Sequence, residues 1–350
     1  MFNSSPKKDI RTASEQELTT LIQELNQPKF RIRQIKDWVW KHQVSDFKEM
    51  RNIPNKLIEV LSNNYQLHNI RVAYKAESKD GTVKLAFRLY DGFLIEGVLI
   101  PTQKRMTACI SSQVGCGLTC KFCATGKLKR ERNLLPFEIY QQAFIINQIA
   151  LEKYQKPLTN IVMMGMGEPL LNYKNVLEAI DHMTNPDYLG ISPKKITLST
   201  AGIAKMIRKL AEDQPKINFA LSLHAANDEK RNKIMPINEQ NNLRELIKAL
   251  KYYHGKTGNK ITFEYILFNN FNDSKQDADE LIKTCKQVPQ SKVNLIEFNS
   301  VEGSNFSKSL NADWFCKYLN QNGVLAKIRK SRGEDIDAAC GQLANKIKPK

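Results

Sequence analysis

The chain has 350 residues, 41% hydrophobic and 25% charged, enough for one large domain with an appendage or for two ordinary ones. Met1 to Ile10 is polar, no apolar run nears the ~20 residues of a bilayer span, and the seven cysteines are irregularly placed; no signal peptide, membrane span or secreted disulfide framework is expected, and a cytoplasmic location is. Fifty-three Lys and Arg against 36 Asp and Glu give a net charge of +17, which makes nucleic acid the default partner, the bland alternative being solvated basic faces.

Residues 1–69 read as a small helical accessory domain. Ser14 and Glu17 form a capping box, and Leu18, Leu21, Ile22 and Leu25 recur at helical spacing until Pro28. A second helix is expected from Arg31 to His42, carrying Ile32, Ile35, Trp38 and Val39. A third starts near Pro54 and buries Leu57, Ile58 and Leu61. Arg31, Arg33, Lys36 and Lys41 give this domain a basic face, the candidate clamp for a polyanion.

The period changes to two over residues 70–105. Val83, Leu85, Phe87 and Leu89 alternate with polar or small residues between the hairpin turns Asp80-Gly81 and Asp91-Gly92, so a three-stranded antiparallel meander is expected. Over 106–300 short apolar runs alternate with amphipathic stretches. The expected strands are Thr107–Ile110, Ile161–Met164, Ile196–Leu198, Phe219–Leu223, Ile261–Leu267 and Val293–Ile296, with helices such as Pro136–Glu152, Leu243–Tyr253 and Lys275–Lys286 between them. Strand–helix alternation implies parallel strands with right-handed crossovers, an α/β fold with its chemistry at the C-terminal strand ends. Residues 301–350 form a C-terminal segment.

The loop after the first of these strands carries Cys116, Cys120 and Cys123, a Cys-x3-Cys-x2-Cys run whose next cysteine is Cys285. Thiolates are soft ligands for zinc, copper(I) or iron–sulfur clusters. Structural zinc wants four protein ligands and a ferredoxin cubane four thiolates at other spacings. Three thiolates suit a four-iron cluster with one iron open, although a zinc knuckle with a distant fourth ligand stays possible by spacing alone. Further strand-end groups are Gly165-Met166-Gly167-Glu168-Pro169, Ser199, Ser222-Leu223-His224 and Asn299. Glycines there allow close backbone approach and Glu168 can accept from an ammonium group; each hydroxyl or amide alone reads as a loop cap, and His224 as an ordinary loop histidine. Cys340, followed by glycine, is expected in an exposed turn. Cys285 and Cys316 read as buried packing residues.

The cysteine spacing, with Phe122 before the last cysteine, resembles the radical S-adenosylmethionine (SAM) superfamily. That resemblance implies a partial (β/α)6 barrel with the helical domain and β-meander as extensions, and a [4Fe-4S] cluster on Cys116, Cys120 and Cys123. SAM would complete the open iron, with Gly167, Glu168, Ser199, Ser222, Leu223, His224 and Asn299 around it. Cys109–Cys116, Gly165–Pro169, Ser222–His224, Met235-Pro-Ile-Asn238 and Arg332–Leu343 resemble, more narrowly, the adenine-C2 RNA methyltransferases of the RlmN family over essentially the whole chain. Ala201, where serine is more usual, and Ser300, where proline is common, depart from the family pattern.

The family resemblance further implies a route to adenine C2, an electron-poor carbon with no lone pair. Cys340 takes a methyl group from one SAM. A second SAM yields a radical that abstracts hydrogen from that methyl group. The resulting methylene adds to C2, Glu96 (in Leu94–Pro101) takes the C2 proton, and Cys109 resolves the protein–RNA adduct by forming a disulfide with Cys340. The implied partners are 23S ribosomal RNA, tRNA and an unidentified one-electron reductant, with no membrane and a monomeric chain. Lys127, Lys129, Arg130 and Arg132 are candidates for holding phosphates. Two other readings stand beside this one. One is a related adenine-C8 methyltransferase, disfavoured by Gly167–Pro169, Ile100-Pro101 and Arg332–Asp335. The other is a non-enzymatic zinc-dependent RNA-binding protein.

Overall fold

In the computed structural model, which describes residues 7–344, the N-terminal segment forms three helices, as its apolar spacing requires. The first, α1 (Glu15–Glu24), starts at the Ser14–Glu17 capping box and buries Leu18 and Ile22. The second, α2 (Phe30–Lys36), winds into a wider turn over Asp37–His42 and stops at Gln43, whose φ is 53°. The third, α3 (Asn55–Asn64), has Pro54 as its cap rather than in its first turn, and buries Leu57 and Leu61. This unit shares one hydrophobic core with the rest of the chain. Trp40 stacks on His182 at 3.6 Å between ring centroids, and Trp40 O accepts from Tyr140 Oη at 3.0 Å.

From residue 71 the chain builds one ten-stranded sheet whose spatial order follows chain order. The expected meander is present as β1 (Arg71–Glu77), β2 (Val83–Arg88) and β3 (Leu94–Pro101). Antiparallel to β3 lies β4 (Met106–Cys109), which opens a parallel run of β5 (Asn160–Met163), β6 (Ile196–Thr200), β7 (Asn218–Ser222), β8 (Ile261–Leu267) and β9 (Ser291–Glu297). The connecting helices are α4 (Pro136–Tyr154), α5 (Tyr173–Thr184), α6 (Ala204–Asp213), α7 (Asp228–Ile234), α8 (Leu243–Thr257) and α9 (Lys275–Gln287). Every residue of β8 is buried, with Phe263 and Tyr265 in the core and Thr262 and Glu264 turned to a cavity inside the sheet's curve.

Two features depart from the expectation. The six expected parallel strands are joined by a seventh, β10 (Ala326–Arg329), reached through α10 (Ala312–Gln321) and paired with β9. Its sequence, Ala-Lys-Ile-Arg, is too charged to read as a strand because Lys327 and Arg329 line a cavity inside the sheet's curve. The sheet therefore extends beyond residue 300. The second departure is in β2, where Lys84 and Ala86 are buried along with Val83, Leu85 and Phe87. The residues after β10 form a strap across that face. Gly333 N–H donates to Asp80 Oδ2 at 3.1 Å, Lys84 Nζ to Asp337 O at 3.1 Å, and Ala344 N–H to Glu96 Oε2 at 2.9 Å. Residues 1–6 and 345–350, the ends of the first and last expected segments, lie outside the described residues.

Candidate active site at the C-terminal ends of the strands

The cysteine loop leaves β4 and is closed at its base by the pairing of Gln113–Val114 with Arg132–Asn133. Its inner end is tied to the strap: Ala124 N–H donates to Gly341 O at 2.7 Å and Thr125 Oγ1 to Leu343 O at 2.6 Å. Cys116, Cys120 and Cys123 pack against an apolar cluster that includes Leu118, Phe122, Met235 and Phe268. Burial pushes the Cys116 thiol up to about 11 and also raises Cys120 and Cys123. Cys123 and Cys116 further raise Cys120, so the three thiols act on one another electrostatically. Three mutually repelling thiolates in apolar surroundings require cationic iron to be ionised, and the donor set fits a [4Fe-4S] cluster on that ground.

The glycine motif after β5 is built against this loop. A Cβ on Gly165 would lie 2.7 Å from the Ile110 backbone, and one on Gly167, whose φ is 95°, would lie 2.5 Å from Gln113. The close approach expected toward a ligand is thus first an approach to the protein's own loop. Met166 O accepts from Ser112 N–H at 2.8 Å, and Gln113 Oε1 from Glu168 N–H at 2.9 Å. The Glu168 carboxylate is buried and accepts from Ala201 N–H at 2.7 Å and Leu170 N–H at 3.0 Å. Burial raises its pKa against those hydrogen bonds.

His224 is no ordinary loop histidine. It is 4% exposed with φ 55°, sits edge-on to Phe122 at 4.8 Å, and its Nδ1 lies 3.1 Å from the Ile266 N–H. Burial, then Arg231, pushes its pKa down to about 3, so the ring is neutral, accepts at Nδ1 and carries its proton on Nε2. Ser199 and Leu223 are buried beside it and Ser222 is half-buried. Asn299, expected beside SAM, here donates to Cys340 O at 3.2 Å and so fastens the strap.

The structure brings Cys109 and Cys340 to one cavity of about 1000 Å³ enclosed by the strands. Cys109 is buried, and burial followed by the nearby Cys340 pushes its thiol up to about 12 while Arg329 opposes. The Arg329 guanidinium is stabilised first by Cys340, then by Glu264 and Cys109, which places it among the three. Cys340 is half-buried, not in an exposed turn as expected, because Ala338, Ala339, Gln342 and Leu343 around it are buried. Glu96 is fully buried at the other end of the strap, paired with Lys84 at 3.1 Å. Cys285 is buried as expected, whereas Cys316 is only half-buried.

Comparison with known proteins agrees with this geometry. Residues 110–283 match the family described as the radical SAM superfamily, and residues 9–67 match the ribosomal RNA large subunit methyltransferase N-terminal domain. A crystal structure of a radical SAM methyltransferase from Sphaerobacter thermophilus superposes with TM-score 0.89 at 35% identity, over 96% of this chain and 99% of that one. A Cytophaga hutchinsonii protein, described as a "probable dual-specificity RNA methyltransferase RlmN", is 52% identical over 97% of this chain and 93% of its own length. A Flavobacterium psychrophilum protein of the same description is 49% identical over 97% and 98%. The chain belongs to the RlmN family.

Within this RlmN-family chain, sequence reasoning missed Arg231. It is fully buried and donates to Leu223 O at 3.0 Å, Ala201 O at 2.6 Å, Ser222 O at 3.2 Å and Asn238 Oδ1 at 2.6 Å, lacing the ends of β6 and β7 together. Its run Asp228–Ile234 reads as a solvated charged helix; the one signal was the Met235–Asn238 motif, whose Asn238 is its partner. Several expected phosphate ligands are occupied instead. Arg132 is clamped by Glu138 at 2.7 Å and by Asp91, and Lys127 donates to Glu302 O. On the N-terminal basic face Arg31 donates to Asn52 O at 2.7 Å, Arg33 pairs with Asp187 at 3.8 Å and Lys36 with Glu15 at 2.9 Å. Among the described residues no helix is long and apolar enough to cross a membrane.

Proposed function

We propose that this chain methylates C2 of adenine in 23S ribosomal RNA and at adenine 37 of tRNA, working as a cytoplasmic monomer with an external one-electron reductant. The observation that carries the reading is the pairing of Cys109 and Cys340 at one cavity directly beneath the cysteine loop. Cys116, Cys120 and Cys123 would hold three irons of the cluster, which with SAM supplies one-electron chemistry when bound. Glu168, Ser199, Ser222, Leu223, His224 and Asn299, with Gly167 shaping the turn, surround the position for SAM, two molecules of which are consumed per turnover.

Cys340, carried on the strap, takes the methyl group through its sulfur and later holds the RNA through a methylene bridge. Glu96 accepts the C2 proton. Cys109 sulfur then attacks Cys340 sulfur. The new sulfur–sulfur bond forms as the bond from Cys340 sulfur to the methylene carbon breaks, and that carbon takes a proton to become the methyl group. Ala344 N–H of the strap donates to Glu96 Oε2, so that one contact has to open before the carboxylate takes the proton.

The decisive experiment is mass spectrometry of nucleosides from RNA treated with anaerobically reconstituted protein. 2-Methyladenosine is expected; 8-methyladenosine would assign the other ring position, and unmodified RNA with colourless, zinc-containing protein would overturn the enzyme reading. Lys84 offers a finer test, because it is the cation at Glu96 and also donates to Asp337 O of the strap. Lys84→Met leaves a buried carboxylate without its counter-charge and removes one anchor of the strap. Turnover is expected to fall at least about tenfold. Turnover unchanged from wild type would show that neither contact of Lys84 serves the reaction.

A further inference from the structure

On the side where the cysteine loop sits, the cavity that holds Cys109 and Cys340 is flanked by the strap tied to that loop and by the apolar cluster of Leu118, Phe122, Met235, Phe268 and Phe298, which has no cation to hold a phosphate. Its lining instead continues down the inside of the strands to their N-terminal ends, past Thr107, Asn160 and Asn218. From Cys109 to Arg105 is four residues of extended chain, roughly 13 Å at ~3.3 Å per residue, about the reach of one extruded nucleotide. The lining holds ten Lys and Arg side chains and one carboxylate, Glu264.

We propose that the substrate RNA docks at this N-terminal end of the barrel, its phosphates held by Arg105, Lys195, Lys216, Lys260, Lys292 and Lys327, and that the target adenine enters from there. The inference rests on the function proposed above and adds the docking face. Among the described residues none of these six side chains has an ion pair or a hydrogen-bond acceptor within the protein. The N-terminal basic face contrasts with this, since three of its four cations already have partners. Like charges left unpaired around one opening cost free energy until a polyanion covers them. Their mutual proximity shows at Lys292, whose pKa is lowered by burial, then by Lys327, and further by Lys260 and Arg105, with Glu264 opposing. A folded duplex cannot follow a base into such a depth, whereas a splayed single-stranded loop can. The chemistry thus stays at the C-terminal strand ends while the substrate arrives from the opposite side.

The test uses full-length, cluster-reconstituted protein and a labelled RNA hairpin with adenine in its loop. Lys195, Lys216 and Lys260 are all exposed, so Lys195→Gln/Lys216→Gln/Lys260→Gln should fold, as checked by iron content and thermal melting. Kd for the hairpin is expected to rise at least about tenfold, and the slope of log K against log salt to shrink by about 2. A second readout needs no variant: a 4-thiouridine beside the target adenine should photo-crosslink to peptides containing Lys216 or Lys260. Unchanged Kd and slope, crosslinks confined to residues 7–69, or loss of binding on Arg31→Glu/Arg33→Glu in place of the lysine variant would overturn the docking face. If wild-type protein binds the hairpin through these lysines yet forms no methylated adenine, the docking face stands and the catalytic reading falls.

Discussion

Cys109→Ala is expected to convert the protein into a trap in which RNA accumulates on Cys340 and free methylated RNA falls by at least about 10²-fold. The reason lies in the placement of the two sulfurs. Cys109 is buried on β4 with its thiol pushed up to about 12, so it rests protonated and unreactive until Cys340 is substituted and the strap moves. Arg329, ahead of a backbone hydrogen bond from Met164, is the nearby group that favours the Cys109 thiolate. Cys340→Ala should form no adduct and no product. Denaturing gel electrophoresis with labelled RNA, followed by intact-protein mass spectrometry, separates the outcomes. Free methylated RNA from Cys340→Ala would remove the covalent route altogether.

Arg231→Leu is expected to cost on the order of 3–5 kcal/mol of stability, the largest effect of any single change considered. The substitution keeps bulk in a fully buried position but takes a guanidinium hydrogen bond from the carbonyls of Ala201, Leu223 and Ser222 and from the Asn238 amide oxygen. Leu223 O keeps its bond from Ala225 N–H, whereas Ala201 O and the Asn238 amide oxygen lose the donor at once. A fall in Tm of about 4–7 °C follows for a chain of this size. Because those carbonyls belong to the strand ends around His224, SAM affinity measured by equilibrium dialysis should weaken as well. Thermal melting unchanged within a degree or two would mean that water replaces the guanidinium without penalty.

Much of this molecule is written locally and can be read before folding. Apolar runs of four to seven residues alternating with amphipathic stretches specify parallel strands and crossover helices, and the six expected strands stand within about two residues of where periodicity places them. The spacing of Cys116, Cys120 and Cys123 marks the loop because ligand chemistry constrains neighbouring residues directly. Hairpins at Asp80-Gly81 and Asp91-Gly92 follow for the same reason: turn geometry is a property of two to four residues.

What local pattern could not decide is everything that depends on a partner far away in sequence. Lys84 and Glu96 become a buried ion pair only because residues 248 to 253 positions further on fold back over them. Arg231 looks solvated until four acceptors from three segments converge on it. Lys327 and Arg329 spoil the strand pattern of β10 because they face a wet, enclosed cavity that exists only once the sheet has curved. Packing likewise separates the two ends of that cavity, with apolar side chains and the strap at one and unpaired lysines at the other. By itself the sequence determined the fold class and the cysteine loop, since spacing and periodicity are local, while the roles expected of Cys109 and Cys340 came from the family resemblance. Tertiary structure alone decided which charges are paired, which are free and from which side the thiols can be reached, since burial and Coulomb energy depend on distances that the linear order does not contain.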